Sequence, residues 1–258
     1  MELSKRMLSL VSFVPKGSSV CDVGCDHGFV SIYLIEQGIC HKVLATDVGK
    51  GPLQRATEHI EQAGLSAYIE TRLSDGLKEV SYLETDGMIA AGMGGRLMAK
   101  ILSESMDKVQ AMDYLILQPQ SELLFFRAFL RQHNLMIQSE DMVFEDGKYY
   151  PVMFVKPIQE KQNAGCIVAD STYEKTWNTY QISLADQFGP CLIKSRNKVL
   201  GDYLDFWEGH QQIILENVAE HPERRAQVEE EIKRIRDTRA WMQNAMKKCS
   251  EEEKEQRC

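Results

Sequence analysis

Fourteen residues, Cys21 to Leu34 (CDVGCDHGFVSIYL), hold two carboxylates, a histidine and two glycines where an apolar run breaks off. Asp22 and Asp26 flank Gly24, and His27 and Gly28 follow. Gly24 and Gly28 permit a sharp turn and let a ligand approach the backbone. A helix starting near Phe29 would aim its first N–H groups back into that turn. A second apolar run ends in Asp47, about twenty residues past Gly28. An acid at that distance commonly accepts both hydroxyls of an adenosine ribose. The third run ends in Ser74-Asp75-Gly76, where an adenine amine would be gripped. The glycine spacing is not the G-x-G-x-x-G of dinucleotide sites, and carboxylates would repel a pyrophosphate. They would attract the ammonium tail of S-adenosylmethionine, which also carries a ribose and a cationic sulfur. Cofactor contacts are therefore expected from Asp22, Gly24, Cys25, Asp26, His27, Gly28, Asp47, Ser74, Asp75, Gly76, Gly92 and Met93. The competing reading is a set of ordinary turn residues in some other Rossmann-like protein.

The segment AAGMGGRLMAKIL puts Gly92, Gly94 and Gly95 at a strand-to-helix junction, where an acceptor substrate should meet the cofactor. Close helix–sheet packing would also explain these glycines. The Asp/Asn-Pro-Pro-aromatic motif of many exocyclic-amine methylases is absent. A ring nitrogen has less need of it, because its in-plane lone pair is already free to attack. Asp26 is the catalytic candidate, stabilising charge on a cationic product base; capping the next helix is its other reading. His27 either stacks on a ligand or is structural. Substrate contacts are expected from Lys5, Arg6, Gly94, Gly95 and Arg96, and from Gln118, Pro119 and Gln120 after the fifth strand. Cys21, Cys25 and His27 lack a fourth ligand, so no metal site is expected.

These residues need a scaffold. Seven strands are expected in SSVCDVG, KVLATDV, AYIETRLSD, TDGMIAAG, DYLILQP, LMIQSEDMVFE and KYYPVMFVKP. The first five alternate with helical stretches, and the last two flank the turn-forming EDGK. This is an α/β pattern: a parallel doubly wound sheet ending in an antiparallel hairpin. Residues 1–156 form that domain, and the polar IQEKQNAG reads as a linker. Residues 157–258 are helical. A helix near Trp177–Phe188 is broken at QFGPC. Val199, Tyr203, Phe206 and Ile213 make one apolar seam, and Leu200, Leu204, Trp207 and Ile214 a second. Pro222 opens a helix with Val228, Ile232, Ile235, Met242, Met246 and Cys249 at threes and fours, and Arg239 in the seam. The pair should fold back as an antiparallel coiled-coil hairpin. The last residues, SEEEKEQRC, should fray.

The whole chain is acidic, with a net charge of −8 over 258 residues, which argues against nonspecific nucleic-acid binding by its entire surface. No stretch is long and apolar enough for a membrane-spanning helix. The N-terminal segment reads as an amphipathic helix rather than a signal peptide. Seven scattered cysteines fit reduced thiols and a cytoplasmic setting.

Taken together, LSKRMLSLVSFVPKGSSVCDVGCDHGFVSIYL, RLSDGL, AGMGG, LILQPQ and EDGKYYPVMFV resemble the bacterial tRNA (adenine(22)-N1)-methyltransferases, the TrmK family. The likeness runs nearly the whole chain, less tightly in the tail. Gly28 and Phe29 stand where the family pattern has Ala and Tyr. The resemblance implies a Rossmann-like class I S-adenosylmethionine-dependent methyltransferase fold with a C-terminal helical domain, and methyl transfer to N1 of an adenine in the tRNA D-arm region. Reaching that atom requires an unpaired, splayed base. The tail's basic residues, among them Arg224, Arg225, Lys233, Arg234, Arg236, Arg239, Lys247 and Lys248, are interleaved with acids. The tail could grip tRNA or pair two chains, so monomer and homodimer both stay open. A methyltransferase acting on a protein or small molecule would share the same core. A non-enzymatic module supporting a coiled coil would have no use for the cofactor carboxylates.

Overall fold

The computed structural model describes residues 2–158, 173, 175–218 and 220–255. The chain divides into two units, Met1–Thr172 and Tyr173–Cys258. All but the first residue of the expected linker lie outside the described residues.

The first unit is built on seven strands, all at the expected positions: β1 Ser18–Val23, β2 Cys40–Asp47, β3 Ile69–Leu73, β4 Gly87–Met93, β5 Tyr114–Pro119, β6 Leu135–Glu145 and β7 Lys148–Pro157. Their order in the sheet is β3-β2-β1-β4-β5-β7-β6. The first five pair in parallel, and β7 inserts antiparallel between β5 and β6. The central strands are nearly continuous apolar runs because helices cover both faces; every residue of β5 is buried. Helices α1 Lys5–Ser12, α2 Phe29–Glu36, α3 Lys50–Gln62, α4 Gly95–Ser103, α5 Met106–Ala111 and α6 Leu123–Gln132 connect or flank these strands. The β6–β7 hairpin closes through Asp146 and Gly147, both with positive φ (50° and 75°), the two-residue geometry that twists with the strands.

The strand order reverses beside β1, whose neighbours are β2 and β4. In open sheets of this kind a ligand crevice is expected at the carboxyl ends of the strands beside such a reversal, where the loops leaving β1 and β4 go to opposite sides. At the far side of the sheet, Arg127 of α6 and Glu140 of β6 form an ion pair of 2.9 Å with neither side chain exposed. Helix α1 is tied to the same hairpin by Ser9 Oγ donating to Asp141 (2.8 Å) and by the Lys5 N–H donating to Glu145 (2.7 Å).

The second unit holds α7 Thr179–Phe188, α8 Pro190–Lys194, α9 Lys198–Asn217 and α10 Pro222–Glu255. A reciprocal capping box between Asn178 and Gln181 starts α7. Gly189 and Pro190 end it, as QFGPC predicts. Helix α10 begins on Pro222 and continues to Glu255, so most of the terminal segment expected to fray is helical. Arg239 reaches Asp205 and Glu208, and Arg236 reaches Glu208. That register runs α9 and α10 antiparallel. The two expected α9 seams are buried unequally: Leu200 and Leu204 of one are buried, as are Val228, Ile232, Ile235 and Met242 of α10, whereas Phe206 and Ile213 of the other are 58% and 60% exposed. The sequence supports two overlapping apolar stripes, and one helical partner can cover only one.

Replacing Arg127 by Met should leave Glu140 buried without its cation and destabilise the first unit by about 3–5 kcal/mol. Urea unfolding followed by circular dichroism reads this; a loss below about 1 kcal/mol contradicts it.

Candidate active site

Three acid-bearing loops line the carboxyl edge of β1, β2 and β3. At the end of β1, Asp22 is buried and accepts a hydrogen bond from Ser31 Oγ of α2 (2.7 Å). Burial pushes its carboxyl up to about 6, the nearby Asp47 charge adds to this, and the Ser31 bond opposes it. The chain then turns at Gly24 (φ 75°), where a Cβ would collide with the end of the Met93 side chain. The N–H groups of Gly24 and Cys25 both donate to the Thr46 carbonyl (2.8 and 3.0 Å), locking the turn onto β2. Cys25 is buried, and burial raises its thiol well above the ordinary range, so it contributes shape rather than a nucleophile.

Asp26 has left-handed backbone (φ 48°), and its side chain is 63% exposed. It does not cap α2, whose N-cap is Gly28 without a side-chain bond. Its carboxylate instead meets Arg55 of α3 (3.2 Å) and His27 Nε2 (3.7 Å). His27 stacks against Phe29 and His59 (ring centroids 5.3 and 5.6 Å). His59 also bonds the His27 carbonyl through Nδ1 (2.9 Å). Gly28 lies against Ala56 of α3.

Asp47, at the end of β2, is oriented by backbone donors. Gly49 N–H donates to Oδ1 (2.8 Å) and Asp26 N–H to Oδ2 (3.3 Å). Each oxygen keeps a lone pair for an outside donor. The Asp47 carbonyl takes the Ser74 N–H (2.9 Å), joining the β2 and β3 loops. Ser74 is buried and bonds the Gly76 carbonyl (2.8 Å). Asp75 is exposed and ion-paired with Lys78, whose hydrogen bond holds its carboxyl below the usual range. An incoming amine would share that carboxylate with Lys78.

The far wall is the β4–α4 junction. Gly92 is a bulge in the β4–β5 register, with φ 77° and only Gln120 Nε2 near where a Cβ would stand (3.8 Å). Gly94 and Gly95 start α4 for a different reason. A Cβ at Gly95 would meet the Ser121 carbonyl at 2.7 Å and one at Gly94 the Ser121 hydroxyl at 3.1 Å. Close packing thus accounts for Gly94 and Gly95, and only Gly92 leaves bare backbone. Pro119 pairs with Met93 in the sheet, and Gln120 N–H donates to the Met93 carbonyl (2.9 Å). Arg96 pairs with Glu122 and lies 4.7 Å from the Phe125 ring centroid.

Gln118 is fully buried, and Arg6 of α1 donates to its Oε1 (3.5 Å). A guanidinium has no acceptor, so the amide oxygen must face Arg6. The Nε2 group is left without a partner among the described residues. Arg6 also approaches Glu145 (3.8 Å) and the Tyr150 ring (5.2 Å), while the Lys5 side chain is exposed. Arg55, His59, Ser31, Glu122 and Phe125 escaped the sequence reading. Arg55 and His59 lie on α3, beyond the next strand, and Ser31, Glu122 and Phe125 sit close after the turns but carry no motif that marks their partners.

The profile of the methyltransferase domain family matches residues 3–153. A tRNA (adenine(22)-N(1))-methyltransferase of Bacillus subtilis is 28% identical over 223 residues, covering 85% of this chain and 87% of the relative. The crystal structure of a Streptococcus pneumoniae putative tRNA (m1A22) methyltransferase is similar with a TM-score of 0.79 at 29% identity, covering 92% of this chain and 99% of that one. The same Streptococcus pneumoniae protein in complex with S-adenosyl-L-methionine matches with a TM-score of 0.75 at 30% identity over the same shares of the two chains.

A carboxyl raised to about 6 when folded, against about 3.9 unfolded, makes the folded ligand-free protein the better proton binder between those values. Stability should therefore fall as pH rises through that window, by about 3 kcal/mol in all. Asp22→Asn retains an acceptor for Ser31 and should remove the loss, raising the melting temperature at pH 7.5 but not at pH 4. Equal pH profiles for both proteins would contradict the assignment.

Proposed function

Because this chain belongs to the methyltransferase domain family, among the tRNA (adenine(22)-N1)-methyltransferases, we propose that it methylates N1 of adenine 22 in tRNA, using S-adenosylmethionine. The observation that carries this is the set of three acid-bearing loops at the strand-order reversal, facing the bare turn at Gly92. These residues fit the cofactor. Asp22 is a buried carboxylate suited to a cationic amino-acid tail. Asp47, aimed by the Gly49 and Asp26 N–H groups, suits two ribose hydroxyls. The Ser74–Gly76 loop suits the cofactor's adenine, and Gly24 and Gly28 let the turn close tightly against Met93 and Ala56.

When bound, S-adenosylmethionine supplies an electrophilic methyl: the adenine N1 lone pair forms the new C–N bond as the C–S bond breaks, leaving a neutral thioether and a cationic base. N1 is mostly unprotonated at neutral pH, so the protein need not remove a proton. Its residues act by positioning and by excluding water. Asp26, exposed and close to the turn, is suited to stabilising charge on the product base, and Arg55 holds it until the base arrives. Gln118 offers its free amide N–H₂ to a base acceptor. Arg6, Arg96 and Lys5 are suited to phosphates around the crevice. On this reading the protein works in the cytoplasm, as a monomer or as a homodimer through its C-terminal helices.

Unmodified tRNA transcript incubated with enzyme and methyl-labelled S-adenosylmethionine should yield 1-methyladenosine on nucleoside digestion, with a reverse-transcription stop at position 22. Label confined to N6, to protein or to small molecules would refute the assignment. Asp47→Ala should weaken cofactor affinity about tenfold or more by calorimetry, as expected for losing bonds to a charged acceptor; unchanged affinity sinks that role. Asp26→Ala should lower kcat with cofactor affinity preserved, and a wild-type kcat would remove Asp26 from the chemistry.

A further inference from the structure

The helical unit contains a cavity of about 790 Å³ between α9, the end of α7 and the first turns of α10. Its volume falls in the range of small-molecule sites. Tyr203 and Trp207 line it with nearly parallel rings (11° apart, centroids 6.3 Å). Gln211 lines it too, is only 7% exposed, and makes no hydrogen bond within the described residues. Its carboxamide keeps contact with solvent in the cavity and offers two donors and an acceptor there to a polar ligand.

The arginines of this unit narrow the choice. Arg225, Arg236 and Arg239, which do not line the cavity, are engaged by Glu229, Glu208 and Asp205. Arg224 makes no ion pair among the described residues and reaches only Gln227 Oε1 (3.1 Å). The two lining carboxylates are occupied: Glu231 accepts from Gln187 (3.2 Å), and Glu230 approaches Lys233 (3.8 Å). The cavity therefore offers aromatic faces, a free amide and one free guanidinium at its mouth. This is the chemistry of a single unstacked nucleotide: base on ring, base edge on amide, phosphate on arginine.

We propose that this cavity holds one splayed nucleotide of the tRNA substrate, stacked on Trp207, hydrogen-bonded by Gln211 and anchored through its phosphate by Arg224. The proposal rests on the tRNA reading above and adds a second point of base recognition outside the methyl-transfer crevice. Such a contact would fix the tRNA by shape and by an exposed base, a mode open to a protein of acidic overall charge.

The test uses the full-length protein and unmodified tRNA transcript, with tRNA affinity measured over a range of salt. Trp207→Leu and Gln211→Leu should each weaken tRNA binding between about fivefold and a hundredfold, the range for losing one stacked base. They should raise KM for tRNA while leaving kcat and cofactor affinity unchanged. Trp207→Phe, which keeps an aromatic face, should restore most of the affinity. Arg224→Gln should reduce the salt dependence by about one phosphate contact, which Trp207→Leu should not do. Melting curves monitor folding. Should either leucine variant unfold, the exposed Arg224→Gln and the conservative Gln211→Glu carry the test. Wild-type tRNA affinity in folded Trp207 and Gln211 variants, or an unchanged salt slope for Arg224→Gln, would overturn the proposal. Binding reads the cavity and methyl incorporation reads the reaction, so the two proposals fail separately.

Discussion

Negative charge gathered at the carboxyl edge of one sheet is the constraint on which the rest of the molecule depends. Asp22 and Asp47 lie on adjacent parallel strands; burial raises the Asp22 carboxyl, the Asp47 charge adds to it, and both charges add to the effect of burial on the Cys25 thiol between them in sequence. Folding tolerates this because each carboxylate is oriented by local donors: Ser31 for Asp22, the backbone of Gly49 and Asp26 for Asp47. Those donors exist only if the chain turns at Gly24 and enters α2 at Gly28. The glycines, the helix entry and the acids thus form one interdependent unit. On the function proposed above, a cationic cofactor would supply the missing opposite charge, and affinity and selectivity for a sulfonium nucleoside would share a source.

The other half of the sheet holds the N-terminal helix. The β6–β7 hairpin carries the residues that hold α1, and α1 carries Arg6, which covers Gln118. Weak, long contacts hold Arg6, whereas the buried Arg127–Glu140 pair fixes α6 to β6. The scaffold is therefore firmly tied where strands must align and more loosely tied around Arg6 and Gln118, the place that the function proposed above gives to the polynucleotide. In the helical unit Arg236 and Arg239 are spent on antiparallel helix pairing and Arg225 on Glu229 of its own helix, which is how a tail rich in basic residues coexists with an acidic chain.

Much of this was legible in the amino-acid pattern. The seven strands stand out because buried parallel strands are short apolar runs that end in turn residues. EDGK marks a hairpin through the positive φ that Asp and Gly tolerate. The sequence leaves Gly92, Gly94 and Gly95 between a ligand-facing and a packing role; the close neighbour of Gly95 is the Ser121 carbonyl, more than twenty residues away, and no local pattern shows it. Asp26 could not be resolved from spacing, since its partner Arg55 sits on the next helix. The two stripes of α9 were equally apolar in sequence, and only the tertiary partner decides that Leu200 and Leu204 are covered while Phe206 and Ile213 are not.

The central claim is that the cofactor's positive charge is met by a carboxylate that is partly protonated when the site is free. Calorimetric titration with S-adenosylmethionine at pH 6, in two buffers of different ionisation enthalpy, counts the protons released on binding. The account predicts release of a substantial fraction of one proton at pH 6, vanishing by pH 8 and absent in Asp22→Asn. Zero release at pH 6, with affinity unchanged between pH 6 and pH 8, would contradict it.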